Sequence, residues 1–289
     1  MVTVERDVVY GTGSGRELRC DVFRPDGATR PTAAAILLHG GGWRRGSRAT
    51  MYPRAEALAE RGILAVCAEY RLTDEARWPA HLHDVKTCLR WLRANASTYQ
   101  VAPDQIALIG FSAGAHLALM AAGTPGDPRF SGDGGHAGTS EVVDAVVAFF
   151  PPIRVRPGPE RDNGDEPYSA GDSLGDGVSM EEALAASPIE YVAPGYPPTL
   201  LLHGTADEVV SPRTSRQMYD AVTAAGSVAE LRLYSGMRHE FVKIEEMGAL
   251  AMADVALFIQ RVLVEPERFD VSQADLFAAP AASLSHGTR

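Results

Sequence analysis

From about residue 33 onward, short apolar runs alternate with stretches in which apolar positions recur every three or four residues. Runs bounded by turn-forming residues at 33–39, 62–70, 105–110, 143–150, 198–203 and 229–234 predict strands. The periodic stretches 50–61, 84–99, 113–123, 211–225 and 241–264 predict helices. Such alternation specifies an α/β class with a mostly parallel central sheet and helices on both faces. Ahead of this series, VERDVVYG and ELRCDVFRP flank the turn sequence GTGSG and predict an antiparallel hairpin extending one sheet edge. Residues 124–142 and 151–186 are rich in Gly, Pro and Asp and lack periodicity until 180–186, so they are expected as insertions forming a small cap or rim. Residues 1–264 are then a single domain, and the Ala- and Ser-rich segment 265–289 a loosely attached tail.

Composition narrows the partners. The 289 residues carry 27 Lys and Arg against 37 Asp and Glu, a formal net charge of −10, and no basic stripe that could neutralise phosphates, so a nucleic-acid partner is not expected. Runs such as AAAILLHG and VVDAVVAFFPP fall far short of the ~20 residues that cross a bilayer, so no membrane partner is expected either. The start, MVTVERDVVYG, has acidic residues where a signal peptide has basic ones. Cys20, Cys67 and Cys88 are odd in number and widely spaced, which suits free thiols and a cytoplasmic location. Oligomeric state leaves no mark on the sequence.

The chemistry concentrates in three places. Gly110-Phe111-Ser112-Ala113-Gly114 joins the predicted strand QIALIG directly to the helical pattern SAGAHLALMAAG, the strand–turn–helix setting of a nucleophile elbow. Ser112 would project above the sheet edge, and the Ala113 amide would sit at a helix N-terminus, where unpaired N–H groups favour negative charge. His39-Gly40-Gly41-Gly42-Trp43 follows the strand AAAILLHG, and its glycines let the Gly41 and Gly42 amides approach a developing oxyanion. Neither GxGxxG nor GxxxxGK[ST] is present, so this is not read as a phosphate loop. A serine hydroxyl needs a base, and the base needs a carboxylate. His239, in SGMRHEF, and Asp207, in HGTADEVV, both follow predicted strands at the edge where a parallel sheet gathers its site. Glu208 competes as the acid, but Asp207 is shorter and nearer the strand end.

The other histidines fit quieter roles. His116 belongs to the helix beneath the elbow and is expected to pack there, and His39 and His203 to brace loops. His81 and His83 resemble a metal pair without further ligands, and the acidic stretch DNGDEPYSAGDSLGDG lacks calcium-loop spacing, so no metal is expected. Trp43 and Phe111, with Tyr70, Trp78 and Phe150, suggest an apolar substrate wall.

HGGGW, GFSAG, AEYRL, WPAHLHDVKTCLRWLRANA, ASPIEYVAPGYPPTLLLHGTADEVV and LRLYSGMRHEF together resemble the α/β-hydrolase superfamily, in its HGGG-bearing esterase and lipase branch. That branch is related to hormone-sensitive lipase and to bacterial feruloyl and acetylxylan esterases, and the likeness spans about residues 30–262. The resemblance implies the α/β-hydrolase fold and hydrolysis of a small-molecule ester through Ser112, His239 and Asp207. It also implies oxyanion donors at Gly41, Gly42 and Ala113 and no cofactor. The same site could act as an aryl formamidase, an acyltransferase or an elimination catalyst, and a non-catalytic receptor of this fold would lack the histidine. One departure stands out: Arg238 and Glu240 flank His239 where related chains often have glycines.

Overall fold

The computed structural model describes residues 2–27, 31–156, 168–169, 174 and 179–271. Eight strands form one sheet: β1 (Val2–Gly13), β2 (Arg16–Pro25), β3 (Thr32–Leu38), β4 (Leu64–Ala68), β5 (Val101–Phe111), β6 (Ala145–Phe149), β7 (Thr199–Gly204) and β8 (Ala229–Tyr234). Their order is β1-β2-β4-β3-β5-β6-β7-β8. The hairpin β1–β2 is antiparallel and joins β4 antiparallel, whereas every pairing from β4 to β8 is parallel.

The strand β3 shows why the centre is parallel and double-covered. Its Ala34, Ile36 and Leu38 face one apolar layer, and Ala33, Ala35 and Leu37 face the other, all buried. A strand apolar on both faces is stable only where helices cover both. The first layer is closed by α2 (Ala80–Ala94) through Leu82, Val85 and Leu89, by α3 (Ala113–Gly123), and by Met218 and Val222 of α5 (Arg213–Ala224). The second is closed by Ala55 and Leu58 of α1 (Tyr52–Ala59) and by Val255, Phe258 and Ile259 of α6 (Glu245–Ile259). A short helix α4 (Met180–Ala185) opens with a capping box between Ser179 and Glu182.

Several boundaries differ from the sequence reading. The segment 241–264 is not one helix: Glu240 is left-handed (φ 58°), Phe241–Lys243 form a tight turn, and extended Ile244 separates that turn from α6. Gln260–Val264 continue α6 as a π-turn, so 245–264 is 20 residues long and apolar enough to cross a bilayer by length and composition. Glu245, Glu246, Asp254 and Arg261 interrupt it, so it does not read as one continuous apolar run. Here its Ala251, Met252, Val255, Phe258 and Ile259 are packed against the sheet.

Residues 124–142 lie against α2, not over the strand ends that carry the site. Glu141 draws them there, receiving Lys86 Nζ at 3.0 Å and pairing with Arg90, while the Thr12 N–H donates to Gly134 at 2.9 Å. Of 151–186, the described part includes a two-residue parallel ladder, Val155–Arg156 with Tyr168–Ser169, and α4. The rest of the expected cap, and the tail beyond 271, fall outside the described residues.

Candidate active site

Four strand ends, those of β3, β5, β7 and β8, and the turns that follow them build the site. At the end of β5 the chain reverses into α3 within one residue, and Ser112 takes φ 52° and ψ −115° to do so. Its N–H donates to Phe149 of β6 at 2.9 Å and its carbonyl accepts the His116 N–H at 3.0 Å, so both backbone groups are satisfied in a strained conformation. The flanking glycines are required by distance. A methyl on Gly110 would lie 2.2 Å from the Gly114 carbonyl oxygen, and one on Gly114 would lie 2.2 Å from the Leu38 carbonyl oxygen. Gly114→Ala therefore drives α3 off β3, and overpacking of this kind is expected to lower Tm by about 5–10 °C in a thermal melt.

After β3, the HGGGW turn folds back on itself. Gly41 (φ 123°) accepts from the Arg44 and Arg45 amides at 3.3 and 3.2 Å, and a Cβ on it would meet the Arg45 carbonyl at 2.0 Å. Those bonds use the Gly41 carbonyl and leave the Gly41 and Gly42 amides without a protein acceptor among the described residues. Gly40 lies against the elbow, its missing Cβ only 3.3 Å from that of Ser112. His39 holds the turn in place: Nδ1 donates to the Gly40 carbonyl at 2.8 Å, its ring stacks on Tyr70 at 4.3 Å, and the Tyr70 hydroxyl donates to the His39 carbonyl at 2.7 Å.

His239 stands in the turn after β8 and Asp207 in the turn after β7. The imidazole Nε2 is 3.1 Å from Ser112 Oγ, and Nδ1 is 2.7 Å from Asp207 Oδ2. The ring also packs on Phe150 at 4.5 Å. The second Asp207 oxygen, Oδ1, accepts the Val209 and Val210 amides at 2.9 Å each. Burial by itself would raise the Asp207 pKa, but hydrogen bonds from His203 and His239, the His239 charge and the Val210 amide outweigh it and hold the carboxyl well below the usual carboxylate range. Glu208 instead faces solvent and pairs with Arg238 at 3.2 Å, so neither of these neighbours is engaged with the imidazole. Glu240 pairs with Lys243.

The expected loop-bracing role of His203 has a specific form. Its Nδ1 accepts from Ser215 at 2.7 Å, which leaves Nε2–H to donate to the Val210 carbonyl at 2.9 Å and to lie 3.2 Å from Asp207 Oδ2. It thus holds the turn that carries the carboxylate, a link between strand end and acid that spacing alone did not disclose. His116 packs as expected: its Nε2 donates to the Ala186 carbonyl at 2.6 Å, its ring meets Trp43 edge-on at 5.0 Å, and burial pushes its pKa down to about 4. Among the described residues, no three His, Cys, Asp or Glu side chains converge as a metal set.

A cavity of about 1010 Å³ opens over Ser112 and His239. Phe111, Phe150, Met51, Pro152, Val209 and Val242 supply its apolar wall. Phe111 is stacked on Phe149 at 4.4 Å. Trp43 also lines the cavity; it is fully buried, and its ring meets that of His116 edge-on. Tyr70 and Trp78 lie away from the wall, because they pack on His39 and His81 respectively.

The BD-FAE family model matches residues 20–222. Two curated relatives from Mycobacterium tuberculosis are LipM, called a probable carboxylic ester hydrolase, and the esterase LipC. They are 31% and 33% identical over 90% and 89% of this chain. The chain spans only 60% and 65% of their own length. Among solved structures, the Est2 esterase of Thermogutta terrifontis, with propionate bound, superposes with a TM-score of 0.76 at 27% identity, covering 91% of this chain and 95% of that one. The chain belongs to the BD-FAE family, in the esterase and lipase branch of the α/β-hydrolases.

Proposed function

We propose that this chain is a carboxylester hydrolase that acts through a serine acyl-enzyme. The observation that carries the reading is the unbroken relay from Ser112 Oγ through His239 to Asp207 Oδ2, at 3.1 and 2.7 Å, opening on a cavity with an apolar wall. With Asp207 ionised, the His239 proton sits on Nδ1 and the Nε2 lone pair faces the hydroxyl. Ser112 Oγ attacks the ester carbonyl carbon while its proton passes to His239 Nε2. The Gly41, Gly42 and Ala113 amides donate to the resulting oxyanion, each such donor contributing roughly 10²- to 10³-fold. Collapse breaks the bond to the alcohol oxygen, which leaves with the His239 proton. Water, deprotonated by His239, then attacks the acyl carbonyl, and collapse returns the carboxylic acid and the serine. The esterase names of LipM, LipC and Est2 support the same reading.

A fluorophosphonate probe tests it. One equivalent is expected to attach to the peptide containing Ser112, in step with loss of hydrolysis of a short-chain nitrophenyl ester, with mass spectrometry locating the adduct. An unlabelled protein, or a label elsewhere with hydrolysis intact, counts against the reading.

A further inference from the structure

The cavity over Ser112 has a second wall opposite in sign to the rest of the chain. Arg44 and Arg45 reach it from the turn after HGGGW, Arg54 from α1, and Lys243 from the tight turn that follows His239. Glu240 is the one carboxylate among the described lining residues, and Lys243 already occupies it. Four cations and one anion therefore surround a cavity in a chain whose formal net charge is −10. A composition with 37 acidic residues would not place them there by default.

Two of the arginines are poorly compensated. Arg54 is half-buried and its Nη2 donates to the Val242 carbonyl at 2.7 Å, which spends one of five N–H groups. Burial lowers its pKa, and the charge of Glu240 offsets this only in part. Arg45 is exposed at the cavity mouth, and its side chain has no ion-pair partner among the described residues. A guanidinium kept beside an apolar wall, with donors uncommitted, is matched by a planar or tetrahedral anion on a bound molecule.

We propose that the site takes esters bearing an anionic group, a carboxylate, phosphate or sulfate, which Arg54 and Arg45 engage while the ester carbonyl sits over Ser112. This rests on the hydrolase reading above and names its substrate class. The apolar residues Phe111, Phe150 and Val209 then hold the hydrocarbon part, and the cations orient the charged end. Attraction of this kind also raises the local concentration of anionic substrate over that of neutral esters.

The test uses the full chain and matched substrate pairs. On the acyl side, para-nitrophenyl hemiglutarate is compared with its neutral methyl ester; on the alcohol side, meta-acetoxybenzoate with methyl meta-acetoxybenzoate. The readout is the ratio of kcat/KM, charged over neutral, because loss of fold or of triad alignment lowers both members alike. At low salt, at least one pair is expected to favour the charged member by about tenfold or more, the scale of a charge-assisted hydrogen bond, and the advantage should shrink as salt rises. Arg54→Met and Arg45→Glu should each bring that ratio down to about one or below. Arg45 is exposed, so its reversal keeps the test sound if loss of the Arg54 contact to Val242 disturbs folding. Neutral members turned over at least as well as charged ones in both pairs, or ratios unmoved by both substitutions, overturn the proposal and leave the hydrolase reading standing. A chain inert to every member and unlabelled by fluorophosphonate overturns both.

Discussion

Ser112→Ala is expected to lower kcat for a nitrophenyl ester by roughly 10⁴- to 10⁶-fold with little change in KM, measured in steady state on protein whose melting curve matches the parent. The size follows from what Oγ does on the proposed path: it is the nucleophile that forms the acyl-enzyme, and its proton is the one that His239 Nε2, 3.1 Å away, takes in that first step. The Gly41, Gly42 and Ala113 amides survive the change, so the residual rate should stay above that of the ester in water. A companion variant separates chemistry from folding. Ser112 holds φ 52°, a conformation that strains any residue with a Cβ by about 1–3 kcal/mol. Ser112→Gly is therefore expected to be as inactive as Ser112→Ala, yet at least as stable by thermal melt, after allowing for the greater freedom of glycine in the unfolded chain. Activity within tenfold of the parent in either variant would remove Ser112 from the proposed role.

The sequence disclosed the parts of this arrangement that local patterns encode. The two-sided apolar runs in β3 and β5 specified a covered parallel sheet, because no other setting buries Ala35, Leu37, Ile36 and Leu38 together. The elbow was legible since GFSAG sits between a strand pattern and a helix pattern, and a bond of 2.7 Å joins Asp207 to His239 across 32 positions because both follow parallel strands. Features assembled from separate elements were not legible. Arg44, Arg45, Arg54 and Lys243 come from three elements, and an arginine on an amphipathic helix reads as an ordinary solvated residue until the fold places it beside a cavity. The break at Ile244 was hidden because no Gly or Pro marks it; Glu240, beside His239, takes the left-handed conformation instead. The aromatic wall was legible in part: Trp43, Phe111 and Phe150 border the cavity, whereas Tyr70 and Trp78 pack on His39 and His81.

Asp207→Asn should cost about 10⁴-fold in kcat although the two side chains have the same shape, and the reason is a forced proton position. Oδ1 of Asp207 accepts the Val209 and Val210 amides at 2.9 Å each, so an asparagine must keep its carbonyl oxygen there. Its NH₂ group then occupies the place of Oδ2, facing His239 Nδ1 at 2.7 Å and the His203 Nε2–H at 3.2 Å. Toward His239 it can only donate, so the imidazole must place its proton on Nε2, pointed at Ser112, where it cannot accept the hydroxyl proton. Toward His203 two donors meet, which also weakens the turn. The same substitution carries a stability signature. The folded pKa of Asp207 lies below that of an unfolded aspartate, so its carboxylate contributes stability that is fully present above about pH 4 and is lost as pH falls through the folded value. The variant should therefore melt below the parent near neutral pH, with the gap narrowing in acid. Asp207→Ala leaves the imidazole free to choose its tautomer, so Asp207→Asn should be no more active than Asp207→Ala despite its closer fit. An asparagine variant that keeps more than a tenth of parental kcat would mean that the carboxylate supplies only the turn and not the proton position.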